Sequence, residues 1–490
     1  MKSPRAPWRW LALLFVPGVA AAHFFTQPYT LPVPFSMYAF GATAALLLSF
    51  VIVGVFATVP AFAVAAPADA AAATGTAYER GGAGLRIGRA TSVLMLVFCI
   101  VTGLFGVQNP FANFSMTFFW IVFVLAVPYA VALAGDFYVA INPWKAIVDW
   151  LERHTRIAFS GRQPYPTRLG YYPALVLYMV FIWLELFGQL SPAALAIALL
   201  VYTAVNVWGA WKFGKQDWFR YCEFFGVFMR LLGRMSPWAR SWDPDAPSAP
   251  SAPRWRYPFI GLLTVEAEHL SLVVFILFML SSTAFDGLHS TLPFVNLYWK
   301  GLYPVIAPWF TPEPGQEFVL STDLYYFWQW CSLAISPFVY LAVFVAFVAA
   351  MKAITGAALS LRSLVLRFAM SLVPIAFVYH VTHYYTLLLA QAGQLVRQIS
   401  DPFGFQWNIF GTALLRIDPL LVDVGVIWHT QVALIVIGHI ASVYLAHVEA
   451  LRTFGAARRA AVSQLPILVL MMLFTTFGLW ILSLPLAAAG

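Results

Sequence analysis

Residues 326–350, YFWQWCSLAISPFVYLAVFVAFVAA, pass through twenty-five positions without one charged side chain. Wound as an α-helix at 1.5 Å per residue, they reach about 37 Å, enough to cross the ~30 Å hydrocarbon core of a bilayer. Nine other stretches of similar character lie near 36–58, 90–107, 115–135, 171–189, 192–211, 266–285, 366–391, 429–450 and 464–486. Over all 490 residues 61% are hydrophobic and 10% charged, with a mean hydropathy of +0.79. A soluble chain of this size could not hide so much apolar surface, so lipid must be its solvent. The expected fold is all-α: a polytopic membrane helix bundle of about ten transmembrane helices.

The basic residues orient it. Of the 28 lysines and arginines, only Lys300, Arg397 and Arg416 fall outside one alternating set of gaps. That set holds Arg80, Arg86 and Arg89; Lys145 to Arg168; the basic run from Lys212 to Arg256; Lys352, Arg362 and Arg367; and Arg452, Arg458 and Arg459. Such asymmetry places these gaps in the cytoplasm and the others on the outer side of the membrane. It also accounts for the net charge of +8, so nucleic acid is not an expected partner. The lipid bilayer is, and a second protein subunit is left open.

Residues 1–22 read as a signal peptide, with basic Lys2, Arg5 and Arg9, an apolar run from Trp10 to Gly18, and the small-residue junction Val19-Ala20-Ala21-Ala22. Cleavage there makes His23 the periplasmic N-terminus of a single domain spanning 23–490. An uncleaved first helix is the alternative, since Phe24 and Phe25 continue the apolar run. Segments 286–325 and 392–428, rich in aromatic residues and proline, are expected to be folded periplasmic caps. Trp144 to Ile157 and Asp217 to Met235 mix aromatic and basic residues at helical spacing, which predicts helices lying flat on the anionic inner surface. Stretches 66–78 and 241–253 read as linkers. Cys99, Cys222 and Cys331 imply no disulfide framework. No phosphate-binding loop, dinucleotide fingerprint, nucleophile elbow or haem-attachment CxxCH occurs in the chain.

Ionisable side chains inside spans are costly and need a reason. His380 and His383 lie three apart in Val378-Tyr379-His380-Val381-Thr382-His383-Tyr384-Tyr385, on one helical face. His439 lies ten residues inward of His429, roughly 15 Å along the next span, at about the same depth. Three imidazoles at one depth suit zinc or copper as a divalent transition-metal cofactor, and an open fourth position would make the metal reactive. The competing reading is that each histidine hydrogen-bonds across a helix interface. Toward the outer mouth, His23, His289 and His429 are further candidate metal ligands, and Asp286 and Glu185 are the candidate catalytic carboxylates. Asp401, Asp418 and Asp423 read as turns and caps, His154 and His447 as structural, and Glu268 with His269 as a secondary polar site.

Several collinear stretches resemble a known family. They include Leu31-Pro32-Val33-Pro34, Ile141-Asn142-Pro143-Trp144, Leu169-Gly170-Tyr171-Tyr172-Pro173, Trp183-Leu184-Glu185, Phe285-Asp286-Gly287-Leu288, His383-Tyr384-Tyr385-Thr386, Ser400-Asp401-Pro402-Phe403-Gly404, Trp407-Asn408-Ile409-Phe410-Gly411-Thr412 and Gly438-His439. Together they are similar to the polytopic bacterial membrane proteins called fenitrothion hydrolases. The resemblance implies a small lipophilic substrate and hydrolysis of an organophosphorus triester with release of a nitrophenol, a reaction suited to a metal that polarises the phosphoryl group and lowers the pKa of bound water. Two other functions compete: a membrane protein that handles or transports copper or another metal, and a b-type haem anchor using His380 with His439.

Overall fold

The computed structural model describes residues 34–56, 83–239, 254–310, 316–415 and 423–484. Among them nine helices are long and apolar enough to cross a membrane, and the chain is an all-α, multi-pass membrane protein. The spanning helices are α1 (Phe35–Phe56), α2 (Ala83–Phe105), α3 (Phe114–Ala134), α6 (Pro192–Phe213), α9 (Leu270–His289), α10 (Glu317–Thr355), α12 (Val373–Ser400), α13 (Val424–Phe454) and α14 (Ala457–Ser483). The stretch expected at 171–189 forms the shorter apolar helix α5 (Tyr172–Phe187). Between the spans at the basic end lie α4 (Pro143–His154), α7 (Lys215–Tyr221), α8 (Phe224–Gly233) and α11 (Leu361–Phe368), which runs through a 3₁₀ turn into α12. His23, the signal segment and both linkers lie outside the described residues.

The helix ends follow local chemistry. Pro143 and Pro192 start α4 and α6 at a position where the missing N–H costs nothing, behind Asn142 and Ser191, whose side chains accept backbone N–H bonds. Asp423 caps α13 in the same way. Gly214, at φ +91°, stops α6 in a conformation that a Cβ would strain.

Burial separates two kinds of apolar helix. On α1, Met37, Phe40 and Leu48 are more than 60% exposed, so that helix presents them to lipid. On α9, Val273, Phe275, Ile276, Leu277 and Phe278 are fully buried, and the helix is walled in by α5, α10 and α12. Being apolar on every face, α9 is enclosed by protein rather than lipid. Ser281 Oγ lies 2.9 Å from Ser336 Oγ and ties α9 to α10.

Two expectations need correction. The 217–235 segment does not lie flat on a surface. Phe224, Phe225, Val227, Phe228, Met229, Leu231 and Leu232 are all buried, and α8 packs into the core against α3, α5 and α12. Arg230 donates to the Arg220 carbonyl, Arg220 pairs with Glu268, and Arg256 crosses from the next segment to the carbonyls of Gly233, Arg234 and Ser236. The caps are also smaller than expected. The last turn of α9 holds Asp286 and His289, α10 begins at Glu317, and α12 continues to Ser400.

Candidate acid–base site

The C-terminal turns of α9 meet the middle of α12 near the end of the bundle opposite the basic gaps. There Asp286 Oδ2 accepts two hydrogen bonds, from His383 Nε2 at 2.7 Å and from the Tyr384 hydroxyl at 2.8 Å. Residues 383 and 384 are successive on α12, about 100° apart around its axis, so the two donors reach the one carboxylate oxygen from different sides. The Asp286 side chain is 5% exposed and that of His383 26%. The carboxylate is therefore enclosed while the imidazole keeps an open edge.

Around this pair the site widens. Glu185, on α5, brings a second carboxylate to the Tyr384 hydroxyl, near enough to Asp286 and His383 for their charges to interact. His289 Nδ1 is 4.0 Å from Asp286 Oδ1, and its stronger bond runs to the Asp286 carbonyl at 2.8 Å. Its ring stacks on Phe285 and meets Phe187 edge-on, which fixes it as a wall of the site. The Tyr384 ring lies between His383, at 4.6 Å, and His380, at 5.0 Å. Gly287 keeps the approach close, because a Cβ there would meet Ile481 Cγ2 at 2.8 Å.

The expected three-histidine ligand set is not assembled. His380 turns toward Tyr129 of α3 and Phe228 of α8, with ring centroids at 5.9 and 6.0 Å. His439 is fully buried in the seam of α12, α13 and α14, where its Nδ1 bonds the Ile435 carbonyl at 2.8 Å and its ring packs against Tyr379. The Tyr379 hydroxyl in turn donates to the Phe474 carbonyl of α14. Shared depth did not mean shared direction. Among the described residues no three His, Cys, Asp or Glu side chains are grouped to hold a metal ion. His380, His383 and His439 turn to three different neighbourhoods, and the His380–His439 pair is likewise split. His429 stands exposed at the start of α13, bonded to the Gly425 carbonyl and edge-on to Tyr38.

The secondary polar site is structural. Glu268 pairs with Arg220 at 2.8 Å, and His269 caps α9 by accepting from the Ser271 N–H.

A buried carboxylate went unnoticed in the sequence. Glu223, fully buried at the start of α8, accepts from Asn142 Nδ2 (2.8 Å), the Tyr202 hydroxyl (2.7 Å), and the N–H groups of Phe225 (3.2 Å) and Gly226 (2.7 Å). The available signal was a single acid immediately before the apolar run Phe224-Phe225-Gly226-Val227-Phe228, the position of a helix cap.

Fold and site together define a multi-pass, all-α membrane protein with a carboxylate–imidazole pair buried between two of its helices. No family model, curated protein or solved structure matches the chain.

Proposed function

We propose that this protein is a bacterial inner-membrane hydrolase that cleaves a lipophilic organophosphorus triester, with His383 as general base. The observation that carries the reading is the Asp286–His383 bond at 2.7 Å, with the acid enclosed and the base open on one edge. A neutral imidazole donating Nε2–H to Asp286 presents its Nδ1 lone pair, and the carboxylate stabilises the imidazolium that forms when Nδ1 takes a proton. Nδ1 removes a proton from water, the water oxygen bonds to phosphorus, and the P–O bond to the aryl group breaks. The products are a dialkyl phosphate or thiophosphate and a phenol. Tyr384 holds the Asp286 oxygen in place, and Glu185 supplies the second acid group from which the departing aryloxide can receive a proton. A lipophilic triester would reach the site from the outer part of the bilayer. General-base assistance of this kind is worth about 10²–10⁴-fold in rate.

The test is nitrophenol release by the purified full-length protein from an aryl phosphotriester, run in H₂¹⁸O. The expected result is ¹⁸O in the phosphate product and loss of turnover in His383→Ala and Asp286→Asn proteins that retain wild-type membrane insertion. Unchanged turnover in both variants would remove the assignment.

A further inference from the structure

We propose that the basic end of α6 is a binding site for the phosphate of an anionic phospholipid. Trp208 and Trp211 lie three apart in the last turns of α6 and so share a face, with neighbouring Cβ atoms about 5–6 Å apart. Lys212 Nζ sits 4.8 Å above the Trp208 ring and 5.1 Å above Phe213, and the Arg162 guanidinium sits 5.1 Å above Trp211. Among the described residues no ion pair neutralises either cation.

Backbone contacts hold the two residues that carry these cations together. The N–H groups of Arg162 and Gln163 both donate to the Lys212 carbonyl, at 2.8 and 3.0 Å, and Lys215 N–H donates to Phe159 at 3.0 Å. Loop 159–163 is thereby fastened to the end of α6. The close approach depends on two glycines at positive φ: a Cβ on Gly161 would lie 2.9 Å from the Gly214 nitrogen, and one on Gly214 would lie 3.1 Å from the Ser160 carbonyl oxygen.

The ligand follows from place and charge. Lys212 ends a 22-residue spanning helix, and indoles one turn inside such an end mark the headgroup level of the bilayer. Arg162 and Trp208 are exposed there, so a headgroup can reach them from the lipid side. Two cations seated on neighbouring indoles, with no ion-pair partner among the described residues, suit the two non-bridging oxygens of a phosphodiester. This site is independent of the hydrolase reading.

Native mass spectrometry of the full-length protein, transferred from phosphatidylcholine nanodiscs with increasing phosphatidylglycerol, counts the retained anionic lipid. Removing both cations in Arg162→Ala/Lys212→Ala should weaken phosphatidylglycerol retention about tenfold or more. Arg153→Ala/Arg156→Ala removes the same charge from the nearby surface and should change retention less than about twofold. Equal losses in the two double variants would show diffuse attraction and overturn the site. If the first variant does not accumulate, Arg162→Gln alone, at an exposed side chain, should weaken retention about threefold to fivefold, and no change there would also overturn it. Excess inorganic phosphate should displace little of the lipid; full displacement would make this a free-anion site and remove the lipid assignment.

Discussion

Glu223 and Asp286 are both carboxylates buried in a membrane protein, but their donors differ in kind. Glu223 is held by two backbone N–H groups, an amide and a phenol. None of these groups changes charge near neutral pH, and the backbone pair cannot turn away. Asp286 Oδ2 takes its bonds from an imidazole and a phenol on α12. An imidazole can gain or lose a proton in the physiological range. Fixed, non-titrating donors make a cap that joins α4, α6 and α8, whereas a titratable donor with an open edge makes a group able to move protons. On the proposed function, the identity of the partners, more than burial itself, separates the structural acid from the chemical one.

The largest expected effect tests the structural half of that contrast. Glu223→Ala would leave Asn142, Tyr202 and two N–H groups buried without their acceptor, a loss of about 3–5 kcal/mol. Fluorescence-detected size-exclusion chromatography should show little folded protein, with partial recovery in Glu223→Gln. Asp286→Asn should accumulate normally. If it is lost to the same degree as Glu223→Ala, the contrast fails. Next in size is turnover: His383→Ala should fall about 10²–10⁴-fold, as expected for removal of a general base. Tyr384→Phe, which deletes one hydrogen bond to a charged group, should fall about tenfold. A Tyr384→Phe loss equal to that of His383→Ala would move the proton-transfer role to the tyrosine.

His439→Gln sharpens the boundary of the site. The His439 hydrogen bond runs to the Ile435 carbonyl of its own helix, and even interhelical bonds in membranes average only about 0.6 kcal/mol, so melting and turnover should stay close to wild type, within about twofold for the rate. Loss of turnover there would bring the Tyr379 seam into the chemistry. The smallest effect concerns a carboxylate at the basic end. Hydrogen bonding from Lys215 holds the Glu152 carboxyl below its usual range. Its contribution to stability is therefore present above the unfolded value of about 4.3 and disappears as pH falls through the lower folded value. The melting difference between wild type and Glu152→Gln should be small at neutral pH and should close below about pH 4.

The bundle was legible because hydropathy and basic asymmetry are one-dimensional signals, read directly along the chain. The site was legible only in part. Asp286, Glu185 and His383 were each singled out, but depth along a helix is set by residue count whereas direction around it is set by packing. That is why His383 meets Asp286 while His439, at similar expected depth, turns to Tyr379. Glu223 was hidden for a different reason. Arg220, Arg230 and Arg234 made its segment read as a helix lying flat on the anionic membrane surface, yet Arg230 bonds a backbone carbonyl and the apolar residues between the arginines are buried.

The enclosure of α9 also sets an order of events during synthesis. A helix walled in by protein must first enter a membrane in which two of its walls, α10 and α12, have not yet been made. Asp286 and its partner His383 are 97 residues apart in the chain. At about 5–20 residues per second, the ribosome needs about 5–20 s to supply that partner. For that interval α9 is an incomplete insertion intermediate with a carboxyl group near one end, and α12 is the element that closes it.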